Sequence, residues 1–266
     1  MNLMKLHQKY ILNKVNKIIL IIIVSTFVLL EFFLLKPLSR NDNWMQKSEL
    51  LENYENYSIT FIKSITIIFV TYLYGIYFNK NTDNYRLIIS QKVRIEKFYF
   101  TKILVAMFLI AIYMALILLI HITMGYYLVN WYHLNNYILK YFLEIYLIAN
   151  VYGFISLITM RIFKTLYAIL IPIVLYFASE IITDINLGNV LNSFFELILP
   201  TSFNDVNSSL FYHIMALILI GCTYLEFGYL VYIHKSHLLD CFWNLSYNIR
   251  VINIVKRRSP TSHLTD

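Results

Sequence analysis

Six long apolar stretches constrain the fold of this chain more than any other feature of its sequence. A helix needs about 20 mostly apolar residues to cross about 30 Å of hydrocarbon, because it rises about 1.5 Å per residue. The stretches approach or exceed that length, and they are continuous rather than alternating, which predicts membrane-spanning helices rather than barrel strands. Their predicted bounds are residues 18–35, 59–77, 103–129, 141–160, 166–182 and 210–233.

The composition supports the same class of protein. Hydrophobic residues make up 59% of the 266 positions and charged residues only 14%, whereas soluble domains average about 45–50% apolar and about 25% charged residues. A water-soluble fold would expose much of that apolar surface, so a soluble enzyme, a nucleic-acid-binding domain and a disordered chain are excluded. We therefore predict an all-α polytopic membrane protein with one six-helix domain over residues 18–233 and short interfacial helices.

The basic residues predict the orientation. Seventeen of the 22 Lys and Arg residues lie before the first stretch, in residues 78–102, between the fourth and fifth stretches, and in the tail. Cytoplasmic loops carry such an excess, so we expect both termini to be cytoplasmic. We predict that residues 1–17 form a basic N-terminal segment at the membrane interface and that residues 234–266 form a basic cytoplasmic tail. The abundance of Asn, Ile, Lys and Tyr indicates the cytoplasmic membrane of a low-GC bacterium.

A further apolar run is too short to span. Residues 190–200 precede the last stretch on the predicted outer side and end at Pro200. About ten helical residues cover only half of the hydrocarbon core, and proline cannot continue the helix. This run is predicted to form a re-entrant or interfacial helix.

The motifs of nucleotide and metal chemistry are absent. The six glycines cannot form a Walker-type loop, and HExxH, CxxC and GxSxG do not occur. We therefore predict no catalytic residue, metal site or cofactor on this chain. A polytopic membrane enzyme, such as an intramembrane protease or acyltransferase, is the alternative. It would need paired groups at matched depth, for which His121 and Glu226 are the candidates.

Ionisable residues within the apolar stretches point to a site, because burying them in a membrane is costly. Glu31 and Lys63 lie near the predicted outer ends of the first two stretches, where their side chains can snorkel to the interface. Candidates for a translocation path are Glu226 in the sixth stretch, Glu180 in the fifth and Asn150 in the fourth. For Glu226, a hydrogen bond between helices and a catalytic role are the alternatives.

The most informative polar segment is the predicted cytoplasmic loop over residues 78–102. Asp83 precedes a short segment, residues 85–90, Arg94 follows it, and Lys102 stands at the entrance of the third stretch. This order resembles the loop after the second span in ABC-2-type transporter permeases, where an acidic residue, a short amphipathic helix, a basic residue and a lysine follow one another. The resemblance implies coupling roles for Asp83, Tyr85, Leu87, Ile88, Ile89, Arg94 and Lys102.

Permeases of this family also have six spans, cytoplasmic termini and a re-entrant element before the last span. The resemblance implies the membrane-spanning subunit of an exporter that pairs with an identical or related permease and with cytoplasmic ATPases, which bind the ATP and Mg²⁺. By analogy the cargo is an amphipathic or antimicrobial peptide. Without the resemblance, the loop's charged and apolar residues fit either seating on anionic lipid or docking into a soluble partner. A non-catalytic docking partner or sensor is therefore a further alternative.

Overall fold

The computed structural model describes residues 11–40, 44–78, 94–129, 136–163, 165–185, 199–200 and 214–231. Within these ranges the regular structure is helical and no strand occurs, which confirms the predicted all-α class for the described part of the chain. The helices are α1 Lys14–Arg40, α2 Trp44–Tyr77, α3 Ile95–Val129, α4 Asn136–Ile162, α5 Thr165–Ile185 and α6 Ile214–Val231.

Five of these helices are long and apolar enough to cross a membrane. Their apolar segments are Lys14–Lys36, Tyr57–Tyr77, Glu96–Tyr127, Ile138–Met160 and Ile214–Val231. The corresponding segment of α5, Thr165–Ile181, is shorter. These lengths and compositions are those of a multi-pass membrane protein.

Several helices extend beyond the apolar stretches that predict them. Helix α2 begins at Trp44 rather than at residue 59, so the predicted loop between the first two spans is largely helical. Tyr54 and Ser58, one turn apart in this extension, are both buried, and their packing explains why a polar stretch remains helical. Helix α3 begins at Ile95 rather than at residue 103, which places Lys102 inside the helix instead of at its entrance.

Asn13 caps the start of α1. The backbone N–H of Asn16 donates to Asn13 Oδ1 at 2.8 Å, and the N–H of Lys17 donates to the Asn13 carbonyl at 3.1 Å. A side-chain oxygen at this position satisfies one of the N–H groups that the first helical turn leaves without a partner. The predicted interfacial segment over residues 1–17 therefore contains a helix start, and residues 1–10 lie outside the described residues.

Helix α4 lies at the centre of the bundle. In its most apolar segment 78% of the residues are buried, against 17% in α1 and in α6. It packs most extensively against α2 and α5, while α1 packs against α3 and α2. Small residues allow the closest approaches, because they let two backbones come together: a Cβ atom added to Gly153 of α4 would lie 2.8 Å from the ring of Tyr74 on α2.

Pro172 lies inside α5 and interrupts its hydrogen bonding. Proline has no N–H, so the carbonyl four residues earlier, that of Ala168, loses its helical donor. Two hydroxyls of α4 lie within hydrogen-bonding distance of it: Thr159 Oγ1 is 3.0 Å from the Ala168 oxygen, and Ser156 Oγ is 3.2 Å from it and 2.9 Å from the Thr71 carbonyl of α2. Side chains of a neighbouring helix thus offer donors to the freed carbonyl of the buried Ala168, because a buried backbone oxygen requires a partner.

The close contact at Gly153 gives a matched pair of substitutions. We expect Gly153→Ala to lower the melting temperature of the protein in detergent, because the new methyl group would collide with Tyr74 and Val70. The control is Gly221→Ala, whose Cβ would lie 3.8 Å from Phe154, an ordinary contact. It should be neutral or stabilising, since alanine favours a helix by about 1 kcal/mol over glycine. Equal melting temperatures for the two variants would contradict the tight α2–α4 packing.

Candidate functional site

A buried polar network joins α1, α2 and α3. Glu31 of α1 is 0% exposed and His121 of α3 is 2% exposed, and His121 Nδ1 lies 2.8 Å from Glu31 Oε1. From α2, Ser58 Oγ donates to Glu31 Oε1 at 2.6 Å and the Tyr54 hydroxyl donates to Glu31 Oε2. We call these four side chains the Glu31 network.

The network satisfies its carboxylate. An ionised carboxylate only accepts hydrogen bonds, and its two oxygens offer about four acceptor sites. Glu31 meets three donors when His121 carries its proton on Nδ1, so a group that is costly to bury has partners on both oxygens. Aromatic rings enclose the imidazole: the ring of Tyr54 stacks on it at 5.8 Å and that of Phe142 lies at 6.0 Å.

The burial of Glu31 differs from the sequence-based expectation that it snorkels to the interface. Its carboxylate points into the bundle, where three hydrogen-bond partners on α2 and α3 contact it. The sequence signals were present but weak: Tyr54 and Ser58 stand four residues apart on one helix face, and His121 is a polar residue in an apolar stretch. Nothing in the sequence shows that residues 90 positions apart, such as Glu31 and His121, meet.

A second polar pair joins α2 and α5. Lys63 Nζ lies 2.5 Å from Glu180 Oε1, and the side chains of these residues are 11% and 32% exposed. Lys63 Nζ also lies 5.8 Å from the centre of the Tyr176 ring, within reach of a cation–π contact. Lys63, like Glu31, therefore turns inward instead of snorkelling. The Lys63–Glu180 pair places one predicted path residue, Glu180, at a helix–helix interface.

Hydroxyl groups surround this ion pair. Ser64 Oγ lies 3.5 Å from the Tyr176 hydroxyl, and the Tyr152 hydroxyl of α4 lies 3.1 Å from Ser179 Oγ. The rings of Tyr152 and Tyr176 meet edge to face at 5.5 Å. Polar atoms from α2, α4 and α5 thus gather in the half of the bundle that also holds the Glu31 network.

The other two predicted path residues lie elsewhere. Asn150 is buried in α4, where Nδ2 donates to the Tyr146 carbonyl at 2.8 Å and Oδ1 accepts from the Tyr74 hydroxyl at 3.3 Å. Glu226 is exposed on α6. The neighbouring Leu225 carbonyl accepts a hydrogen bond from Tyr99 at 3.5 Å, which sets Glu226 near the first turns of α3, far from the Glu31 network. A path role for either residue stays a prediction.

The predicted coupling loop is described only at its end. Arg94 is exposed immediately before α3. Lys102 is 2% exposed, and its Nζ lies 4.7 Å from the centre of the Tyr77 ring and 4.5 Å from that of Phe78. The lysine thus fastens α3 to the end of α2. Outside the described residues lie Asp83, Tyr85, Leu87, Ile88 and Ile89, the tail over 234–266, and residues 190–198 of the predicted re-entrant helix.

The structure contradicts the catalytic pair considered from the sequence. Tyr99, which contacts the carbonyl next to Glu226, is 22 residues from His121 on α3, or about 33 Å along the helix axis. His121 and Glu226 therefore do not meet.

Ser58, His121 and Glu31 do meet, but Ser58 and Glu31 approach the same nitrogen of the His121 ring. Ser58 Oγ lies 3.5 Å from Nδ1, which also faces Glu31. In a serine triad the hydroxyl and the carboxylate contact different nitrogens of the histidine ring. One nitrogen accepts the serine proton, while the N–H of the other nitrogen donates to the carboxylate. The network therefore lacks the geometry of an activated serine.

No family model, no curated protein and no solved structure matches the chain. Within the described ranges no group of three or more His, Cys, Asp or Glu side chains is placed to hold a metal ion. The candidate site is therefore defined by its own geometry: the Glu31 network and the Lys63–Glu180 pair, both within apolar helices.

Proposed function

We propose that the chain is the membrane-spanning subunit of an ABC-type exporter that moves its cargo with ATP hydrolysed on separate partner subunits. The observation that supports a transport role best is the Lys63–Glu180 ion pair at a helix interface within apolar helices. Ionisable residues inside membrane helices face the bundle interior and mark pathways for substrates or ions. The resemblance of residues 78–102 to the coupling loop of ABC-2-type permeases supports the ATP-driven class.

Transport is favoured over membrane catalysis by the chemistry of the Glu31 network. Its serine donates to the Glu31 carboxylate at 2.6 Å and lies 3.5 Å from the imidazole nitrogen that also faces Glu31, so these groups are not arranged as a serine–histidine–carboxylate triad. A structural or translocation role requires no such arrangement. If the chain were a serine-dependent enzyme, Ser58→Ala would abolish its activity.

The exposed helices support pairing with a second permease. Only 17% of the residues in the apolar segments of α1 and α6 are buried, so both helices offer surface to lipid or to another subunit. We propose a dimer with an identical or related permease, six spans in each subunit, and an amphipathic or antimicrobial peptide as cargo.

The proposed six-span topology places both termini in the cytoplasm. In a variant with Cys222 and Cys241 replaced by serine, single cysteines at Ser48 and Ser202 should react with a membrane-impermeant thiol reagent in intact cells, because both positions lie in predicted outer segments. A cysteine at Ser259 should react only after the cells are opened. Labelling of the tail position from outside would refute this topology.

Coupling to an ATPase is tested at the apolar side chains of the loop. We expect Ile88→Asp and Ile89→Asp to detach the ATPase from the purified complex or to abolish substrate-stimulated ATP hydrolysis, because a carboxylate in an apolar groove costs several kcal/mol. Lys92→Ala is the control, since it removes one predicted peripheral charge and should leave both properties unchanged. Wild-type association and hydrolysis in the Asp variants would instead support a loop that only rests on lipid.

A further inference from the structure

Helix α6 exposes an acidic side chain within an apolar segment. Glu226 is exposed and lies about 7.5 Å along the helix axis from Val231, the nearer end of the segment Ile214–Val231. Because helical side chains tilt toward the N-terminus, the Glu226 side chain leans away from the Val231 end. Among the described residues it has no hydrogen-bond or ion-pair partner. Ionisable side chains inside membrane helices pair with one another or face protein or water, so Glu226 requires a partner from outside the described chain.

Glu226 belongs to a row of exposed side chains along α6. Met215 and Leu219 are 44% and 64% exposed, and Cys222 and Glu226 are exposed as well. We call these four residues the α6 stripe. Their spacing alternates between four and three residues, as in helices that pack along a shared seam. The other side of α6 packs within the chain, where Gly228 faces side chains of α3 and α4. The α6 stripe is therefore left uncovered.

A second copy of this chain would complement the α6 stripe. In a two-fold dimer whose axis is normal to the membrane, the two α6 helices run parallel, and each residue of the stripe faces the same residue of the other copy. Glu226 then faces Glu226 of the partner subunit. A carboxyl group that carries a proton donates to the other carboxyl group, so each copy supplies the partner that the other lacks. Hydrogen bonds between helices hold membrane proteins together, whereas acyl chains offer no polar partner.

We propose that two copies of this chain pair through the α6 stripe, with the carboxyl groups of the two Glu226 residues hydrogen-bonded to each other. The interface rests on the proposed function, which includes pairing with a second permease, and assigns that pairing to one helix. Helix α1 is equally exposed, with 17% of its apolar segment buried. Its carboxylate, Glu31, already has partners inside the bundle, so α1 offers no comparable group to a second copy.

Cys222 allows a direct test, because it lies in the α6 stripe one turn from Glu226. The full-length Cys241→Ser protein, in membranes of the expressing cells, is treated with a short bifunctional methanethiosulfonate and analysed on a denaturing gel without reductant. We expect a cross-linked dimer.

The matched control carries Cys222→Ser, Cys241→Ser and Leu104→Cys. Leu104 of α3 is 64% exposed and lies at about the depth of Cys222, since Tyr99, just over one turn from Leu104, contacts the Leu225 carbonyl of α6. This protein should remain monomeric on the gel.

Substitutions of Glu226 in the Cys241→Ser protein test the carboxyl pair. Glu226→Gln keeps a donor and an acceptor, so the cross-linked dimer should form as before. Glu226→Lys places two ammonium groups together, neither of which can accept a hydrogen bond, and the dimer should be lost. Phe227→Lys is the control, because it adds the same charge at a neighbouring position that is 54% exposed and outside the α6 stripe, and its dimer should persist.

Three results would each overturn this interface. They are equal cross-linking through the cysteines at 222 and 104, a wild-type yield of dimer in Glu226→Lys, and equal loss of the dimer in the two lysine variants. A dimer that cross-links through position 104 instead of 222 would leave the proposed pairing of two permeases intact. The absence of any dimer of the Cys241→Ser protein, also by native mass spectrometry, would contradict both the interface and the pairing of identical copies.

Discussion

Replacing Glu31 by leucine should destabilise the protein more than any other single change in the Glu31 network. The substitution removes the carboxylate that Tyr54, Ser58 and His121 share, and it replaces their short hydrogen bonds by longer contacts such as that of the Tyr54 hydroxyl with His121 Nδ1 at 3.2 Å. An unsatisfied buried donor costs about 1–3 kcal/mol, so we expect a total loss of about 3 kcal/mol or more. The melting temperature in detergent should fall by about 10 °C.

A graded series separates the hydrogen bonds from the shape of the side chain. Glu31→Gln keeps an acceptor oxygen, and hydroxyls can rotate to accept from the new amide, so its melting temperature should lie much closer to that of the wild type. Phe33→Leu, on the same helix at a position 67% exposed, is the control and should be nearly silent. If Glu31→Leu melted like Phe33→Leu, the network would not exist in the folded protein.

Breaking the Lys63–Glu180 pair should give an asymmetric result. Glu180→Leu leaves the ammonium of Lys63 without its anion in a site where that side chain is only 11% exposed. Removing one partner of a buried ion pair costs about 3–5 kcal/mol, so this variant should melt well below the wild type. Lys63→Met should be milder, because the Glu180 side chain is 32% exposed and the bundle therefore encloses it less than Lys63.

The double variant completes this cycle. Lys63→Met with Glu180→Leu removes both charges together, and it should recover most of the stability that Glu180→Leu loses, since no buried charge is left over. Melting temperatures of the four proteins give the coupling energy of the pair. Additive effects of the two single changes would mean that these side chains do not interact.

The helices could be predicted from the sequence, but their contacts could not. The apolar stretches locate the cores of the helices. The structure extends α2 back to Trp44 and α3 back to Ile95, and these extensions contain the buried side chains of Tyr54, Ser58 and Tyr99. In water, an apolar face tells which side of a helix is buried. In lipid both faces are apolar, so the sequence does not show that Glu31 faces α3 or that Lys63 faces α5. Those pairings depend on the rotation of each helix about its axis, which only the folded bundle determines.

The proline in α5 also restricts how this sequence can evolve. As long as Pro172 remains, the Ala168 carbonyl depends on the hydroxyls of Ser156 and Thr159, and losing both would leave it unsatisfied inside the bundle. If the proline is replaced first, the helix supplies its own donor and the Ala168 carbonyl no longer needs either hydroxyl. Substitutions at these three positions are therefore constrained in their order: in a lineage descending from this chain, the proline must change before both hydroxyl residues are lost.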